Sequence, residues 1–381
     1  MLAEPVPAPR ILAIDVGTGT QDVLVFEGGT LVENSVQLIM PSPTVIAAGR
    51  VQRATAERAP LLITGVTMGG GPVAWAVEAH LRAGLPVRAT ADAARTFDDD
   101  LTRVAAMGVQ VIEADEAARR VGDLHVEFRD LYLAEVKETL QAFGAGTDFD
   151  AVAVAVFDHG AAPPGYSDRR FRFDYLKEQV GRGAGLEAFG FLAGAIPDRM
   201  TRMQAVTHGR DAAGLFVMDT GPAAVLGALD DARVRAADRL LLVNVGNFHT
   251  LAFLLDRGRI AGLFEHHTGE LTTQELERYL EQLVAGTIAN DEVFADMGHG
   301  ALEPQLPPGA PDLVVALGPR RRMLEGSRLT PYFAVPHGDM MLAGCFGLLR
   351  ALAHHRPELR AAIEAQLGPP AWKLDTKPRR S

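Results

Sequence analysis

One pattern in the chain occurs twice and constrains the fold more than anything else. Arg10-Ile11-Leu12-Ala13-Ile14-Asp15-Val16-Gly17 reads as a buried strand entering a Gly/Thr turn. Residues 21–27, a Gly28-Gly29 hairpin turn and residues 30–40 follow it. The same order returns at Arg239-Leu240-Leu241-Leu242-Val243-Asn244-Val245-Gly246, with residues 249–256, an Arg257-Gly258 turn and residues 259–264. Two copies of strand–turn–strand–turn–strand argue for duplicated domains.

Between and after the copies, strands alternate with helices. Residues 61–67, 109–113, 151–157 and 312–317 read as strands, and residues 72–82, 131–143, 273–285 and 340–354 as helices. Such alternation predicts an α/β fold. The expected division is a first domain at 9–235, a second at 236–356 and a C-terminal tail at 357–381. Its last part, from Pro369 on, holds three prolines and four basic residues and reads as mobile.

The rare residues close off several chemistries. One cysteine, Cys345, rules out an intrachain disulfide and a cysteine-ligated zinc or iron–sulfur site within one chain; in its Ala/Gly/Leu helix it reads as a small core residue. None of the four lysines follows a glycine, so a Walker-type P-loop is missing, and no serine stands in Gly-x-Ser-x-Gly. With 37 basic against 48 acidic residues, a net charge of −11 argues against binding nucleic acid. No apolar run approaches the ~18 residues of a membrane span, and the first ten residues lack a leader's apolar core. A cytoplasmic protein is expected, a homodimer being unexceptional.

The turns carry the chemistry. Gly17, Thr18, Gly19 and Thr20 offer backbone N–H groups and hydroxyls to a phosphate, and Asp15 at the strand end is placed to hold Mg²⁺. Gly246, Asn247 and Thr250 occupy the equivalent turn of the second copy, so the pair is expected to clamp a polyphosphate. Gly318 and Arg320 end a later strand in a turn over which a base and ribose fit. Two small-residue helices, beginning near Asp219 and Gly338, are suited to cross closely as a hinge.

In this order the elements resemble the superfamily of actin, the heat-shock chaperone ATPases and the sugar kinases. The resemblance rests on two phosphate motifs (15–22 and 244–250), an adenosine motif (314–320) and two connecting helices (219–229 and 338–347), and spans most of residues 10–355. More narrowly, the chain resembles a family labelled as similar to pyruvate formate-lyase activating enzyme. A radical activase needs three cysteines on one cluster, which this chain does not have. The resemblance implies two ribonuclease H-like domains with a nucleotide cleft between them, each with a mixed five-stranded sheet and only small accessory subdomains. ATP and Mg²⁺ are the implied cofactors, and ATPase or small-molecule kinase activity the implied function. It also places Asp219 where sugar kinases carry a catalytic base, although Asp before Thr-Gly-Pro is equally a helix cap. Three departures leave a second expectation open, a nucleotide-sensing or structural scaffold. Asn244 replaces the usual aspartate of motif two, Asp22 stands where kinases carry a basic residue, and no lysine precedes Lys137.

Outside the nucleotide motifs, Thr67, Gly69, Gly70 and Gly71 are the best anionic-substrate candidates, at a strand-to-helix junction. Asp158 and His159 end a strand, where α/β sheets place ligands. His266 and His267 point to opposite sides if extended and read as a polar loop. A metal-dependent hydrolase using His159, His266 and nearby acids is a third, distant alternative. His337 reads as shaping the last turn, and Trp75 as helix core.

Overall fold

The computed structural model describes residues 8–182, 185–210, 214–304, 306–307 and 309–372. The tail from 373 lies outside the described residues. Apolar strands separated by Gly turns order the chain into β1 (Arg10–Val16), β2 (Thr20–Glu27), β3 (Val36–Pro41), β4 (Leu61–Gly65), β5 (Val87–Thr90), β6 (Val109–Ile112), β7 (Leu124–Phe128) and β8 (Ala151–Val156). After these come β9 (Gly190–Leu192), β10 (Leu215–Asp219), β11 (Arg239–Val245), β12 (His249–Asp256), β13 (Arg259–His267), β14 (Gly300–Leu302), β15 (Leu313–Leu317) and β16 (Tyr332–Phe333). Among the described residues they form three sheets.

The duplication is visible in the topology. One sheet runs β3-β2-β1-β8-β10-β9, the other β14-β13-β12-β11-β15-β16. In each, three consecutive strands pair antiparallel, and the first also pairs parallel with a later strand, β8 or β15. These are two ribonuclease H-like units of the actin-like fold, with six strands in each sheet rather than the expected five.

The third sheet corrects the expectation of small accessory subdomains. It is all parallel, ordered β6-β5-β4-β7, and is inserted between β3 and β8 of the first unit. Helices Pro43–Ala56 and Pro72–Arg82 help cover it, and Ala47, Val51, Ile63, Val73, Val77 and Val126 make a core of their own. Trp75 is not in that core: its ring is 55% exposed.

Helices Thr220–Ala228 and Ala343–His355 join the two units and cross backbone to backbone. A Cβ on Gly227 would collide with the Ala343 carbonyl, and one on Gly347 with that of Ala223. Beyond the second of these helices, where a tail is expected from 357, Pro357–Leu367 forms a helix with Leu359, Ile363 and Leu367 buried. No described helix is long and apolar enough to cross a membrane.

Candidate functional site: an interdomain cleft

The two repeated turns face one cleft of about 520 Å³. They close identically: the Gly17 amide donates to the Thr20 carbonyl at 2.9 Å, and the Gly246 amide to the His249 carbonyl at 2.9 Å. Across the cleft they nearly touch, since a Cβ on Gly19 would lie 2.6 Å from Asn247 Nδ2. The first turn is fixed from behind by Ser42, whose hydroxyl donates to the Thr18 carbonyl at 2.7 Å and whose amide donates to that of Gly19 at 3.1 Å.

Asp15 and Asp22 stand directly opposite each other in the β1–β2 register, both buried. Like charges in that position repel. Burial, followed by smaller contributions that include its charged neighbour Asp219, raises the Asp15 carboxyl to about 7 despite the Thr220 hydroxyl, which donates to it at 2.6 Å. Burial and then Asp15 raise Asp22 to about 8, and Asp22 Oδ1 has no hydrogen-bond partner. The second connecting helix presses on the same place, because any side chain at Gly344 would strike the Asp15 carboxylate. Two crowded carboxylates, one with an orphaned oxygen, form a donor set that fits a hard divalent cation. The second copy has nothing comparable, since Asn244 pairs there with Leu251.

Of the adenosine-side residues, Gly318 lines the cleft with φ +93°, and a Cβ there would sit 2.5 Å from Asn244 Oδ1 and from the Val245 carbonyl. That position requires glycine. Arg320 is exposed and does not line the cleft, while its neighbour Arg321 donates to the Gly318 carbonyl at 3.1 Å. Thr250 also turns away, buried against Thr268 at 3.0 Å. Thr67, Gly69, Gly70 and Gly71 all line the same cleft as the two turns. The glycine run is pinned: the Gly69 amide donates to Asp130 at 3.2 Å, and Asp130 is itself paired with Arg202. Asp158 and His159 line the cleft as well. The Asp158 carboxylate accepts from the Gly160 and Met203 amides, each at 2.8 Å.

Asp219 is different. It caps the first connecting helix through the Gly221 amide at 3.3 Å, is fully buried, and both its oxygens are held by Arg172. Burial raises its carboxyl, with Arg172 opposing. In this arrangement Asp219 is a helix cap and ion-pair partner, and it does not line the cleft.

A family profile described provisionally as pyruvate format-lyase activating enzyme (DUF1786) matches residues 68–323. The chain belongs to this family. Among curated proteins, none matches the chain. Solved structures that the chain is similar to include ethanolamine utilization protein EutJ from Carboxydothermus hydrogenoformans (12% identity, 92% of this chain and 91% of that one, TM-score 0.34). A ROK hexokinase from Thermus thermophilus is similar at 13% identity, covering 92% of this chain and 99% of that one, with TM-score 0.31. A ROK family transcriptional regulator, homolog of E. coli MLC protein, gives 11% identity over 66% of this chain at TM-score 0.25, and this chain spans 37% of its length. The family's description does not match its donor set here, since one buried cysteine cannot hold a radical enzyme's cluster. The Cys345 thiol donates instead to the Asp22 carbonyl at 3.1 Å, in the core position expected of it.

The other cleft wall was not foreseen in the sequence. Arg172, on helix Asp168–Gly181, lies between Asp219 and Glu265 of β13. Burial would raise the Glu265 carboxyl, but Arg172 and His299 outweigh it and hold it well below the usual range. His159, His249, His267 and His299 cluster beside it, ring centroids 4.8 to 5.6 Å apart for the pairs in contact. His266 and His267 do point to opposite sides, but as the end of β13 rather than as a loop: His266 packs on Tyr279 at 5.7 Å. His337 pairs with Asp230 at 3.3 Å in a backbone of φ +49°, as its turn-shaping role requires. A second unforeseen contact crosses the cleft mouth, Trp75 against Phe248 at 5.3 Å. One signal was available: Phe248-His249 sits inside the repeated turn, at the position of Gly19-Thr20 in the first copy.

Proposed function

We propose that the cleft binds Mg²⁺-ATP and that the chain is an ATP-dependent enzyme, an ATPase or a small-molecule phosphotransferase. The observation that carries this reading is the pair of identically closed turns meeting over the Asp15–Asp22 carboxylates. Asp15 and Asp22 would hold the metal ion, which when bound neutralises phosphate charge. The turn segments, residues 17–20 and 246–249, supply backbone N–H groups for phosphate oxygens. Gly318, which lines the cleft, marks the side on which the adenosine would lie. The pinned glycine run at 69–71, with Thr67, forms the wall on which an acceptor would rest.

Isothermal titration of the full chain with ATP, with and without Mg²⁺, tests the reading. Mg²⁺-dependent binding that Asp22→Asn weakens at least tenfold is expected. No binding of ATP or ADP at millimolar concentration would overturn it. Tight binding with no phosphate release or transfer would instead favour the nucleotide-sensing scaffold, for which Asn244 in the second turn is the supporting observation.

A further inference from the structure

We infer that His159, His249 and His299 form a first-row transition-metal site, of the kind that takes Zn²⁺, bridging the two units at the inner wall of the cleft. One ring nitrogen from each lies within 4.8 Å of the others. Side-chain adjustments of roughly an ångström would bring all three to about 2.1 Å from one ion. His159 follows β8 of the first unit, while His249 opens β12 and His299 precedes β14 of the second.

The geometry of the cluster supports the inference. His267 Nδ1 lies 2.9 Å from the Met297 carbonyl, which can only accept, so that nitrogen carries the proton. His299 Nδ1 lies 3.1 Å from the Glu265 carboxylate, and His299 Nε2 lies 3.1 Å from His267 Nε2. His249 Nε2, buried in the same cluster, has no hydrogen-bond partner at all. Its ring is locked in place, stacked on Phe157 at 3.9 Å and 9°.

The chemistry of the set selects the metal. Neutral imidazoles suit Zn²⁺, Co²⁺, Ni²⁺ or Cu²⁺ and not Mg²⁺. Glu265 on the far nitrogen of His299 is the carboxylate–histidine arrangement that orients metal-bound imidazoles. His159 and His249 line the cleft, so a three-histidine ion would keep a coordination position open toward it. The ligand set does not include Asp15 or Asp22.

Chelator-treated full-length protein titrated with Co²⁺ is the test, read by visible absorption and by metal content after desalting. One equivalent per chain is expected, with d–d bands of a nitrogen-ligated ion, undiminished by excess Mg²⁺ and displaced by Zn²⁺. His249→Ala and His299→Ala should each abolish the bands, and His159→Ala should weaken uptake at least tenfold. His125→Ala, on the exposed edge of the third sheet, should change neither. Circular dichroism confirms that each variant is folded, and His299→Gln replaces His299→Ala should the latter not fold. Uptake below one equivalent in the wild type, or bands that survive His249→Ala and the folded His299 variant, would overturn the proposal.

Discussion

Arg172 binds Glu265 through two hydrogen bonds, 3.1 Å from Nε and 3.2 Å from a terminal nitrogen, with both side chains fully buried. The pair joins the two units, and the same guanidinium holds Asp219 and lies over the Phe157 ring at 4.4 Å. Removing the cation leaves two carboxylates buried with no countercharge. Arg172→Ala should therefore destabilise by about 3–5 kcal/mol, and Arg172→Lys, which cannot fork to both acids, by only part of that. Urea unfolding followed by circular dichroism measures both. An Arg172→Ala midpoint equal to wild type would show that this residue does not clamp the units.

Where the connecting helices cross, the backbones leave no space for a methyl group. Alanine normally favours helix over glycine by about 1 kcal/mol. Here Gly347→Ala should instead cost about 1–3 kcal/mol, because the added carbon meets the Ala223 carbonyl and forces the helices apart. Gly49→Ala, on an open helix surface, should show the ordinary sign. The same unfolding assay applied to both variants separates close packing from propensity.

These contacts also show what the sequence could and could not reveal. The repeated strands were legible because each is a buried apolar run ended by a Gly turn, and the helix crossing because Gly227 and Gly347 stand among small residues. The inserted parallel sheet was half hidden. A strand as short as Val87–Thr90 offers only four residues of alternation to read. Helix Asp168–Gly181 was missed because its buried side includes Arg172 and Gln179, so its pattern looks polar all round. The partners that make Arg172 a core residue lie 47 and 93 positions away. The histidine cluster draws on four separate segments, and only the fold brings them together.

The carboxylates at the first turn should make metal-free protein less stable as pH rises. In the folded chain Asp15 sits at about 7 and Asp22 at about 8, against an ordinary 3.8. A raised acid is bound more tightly to its proton in the folded state. Its stabilising effect is present at low pH and lost as pH climbs through the folded value. His159, His249 and His267 lie below their ordinary 6.5, so from about pH 7.5 upward they are nearly neutral in both states and add little slope. In EDTA, the melting temperature should fall between about pH 7.5 and 9, each carboxylate contributing at most about 1.4 kcal/mol per pH unit. Asp22→Asn should flatten that fall. Identical slopes in variant and wild type would mean these acids are not the source.

Trp75 and Phe248 give the cleft a built-in reporter. Trp75 stands on helix Pro72–Arg82 of the inserted sheet and Phe248 in the second turn, so their 5.3 Å contact closes one side of the cleft. A Cβ on Gly71 beside them would lie 3.4 Å from Thr18 and 3.6 Å from Phe248, so the start of this helix sits within contact distance of both turns. An exposed aromatic pair of this kind contributes about 0.5–1.5 kcal/mol. Phe248→Ala should consequently leave global stability within about 1.5 kcal/mol of wild type while loosening this edge. Trp75 is one of only two tryptophans, the other being Trp372 near the end of the described chain. Mg²⁺-ATP should therefore change the intrinsic emission, and Trp75→Phe should remove that change while leaving nucleotide affinity within about threefold, since the ring touches the turn and not the carboxylates. Persistence of the full emission change in Trp75→Phe would move the responsive wall away from this contact.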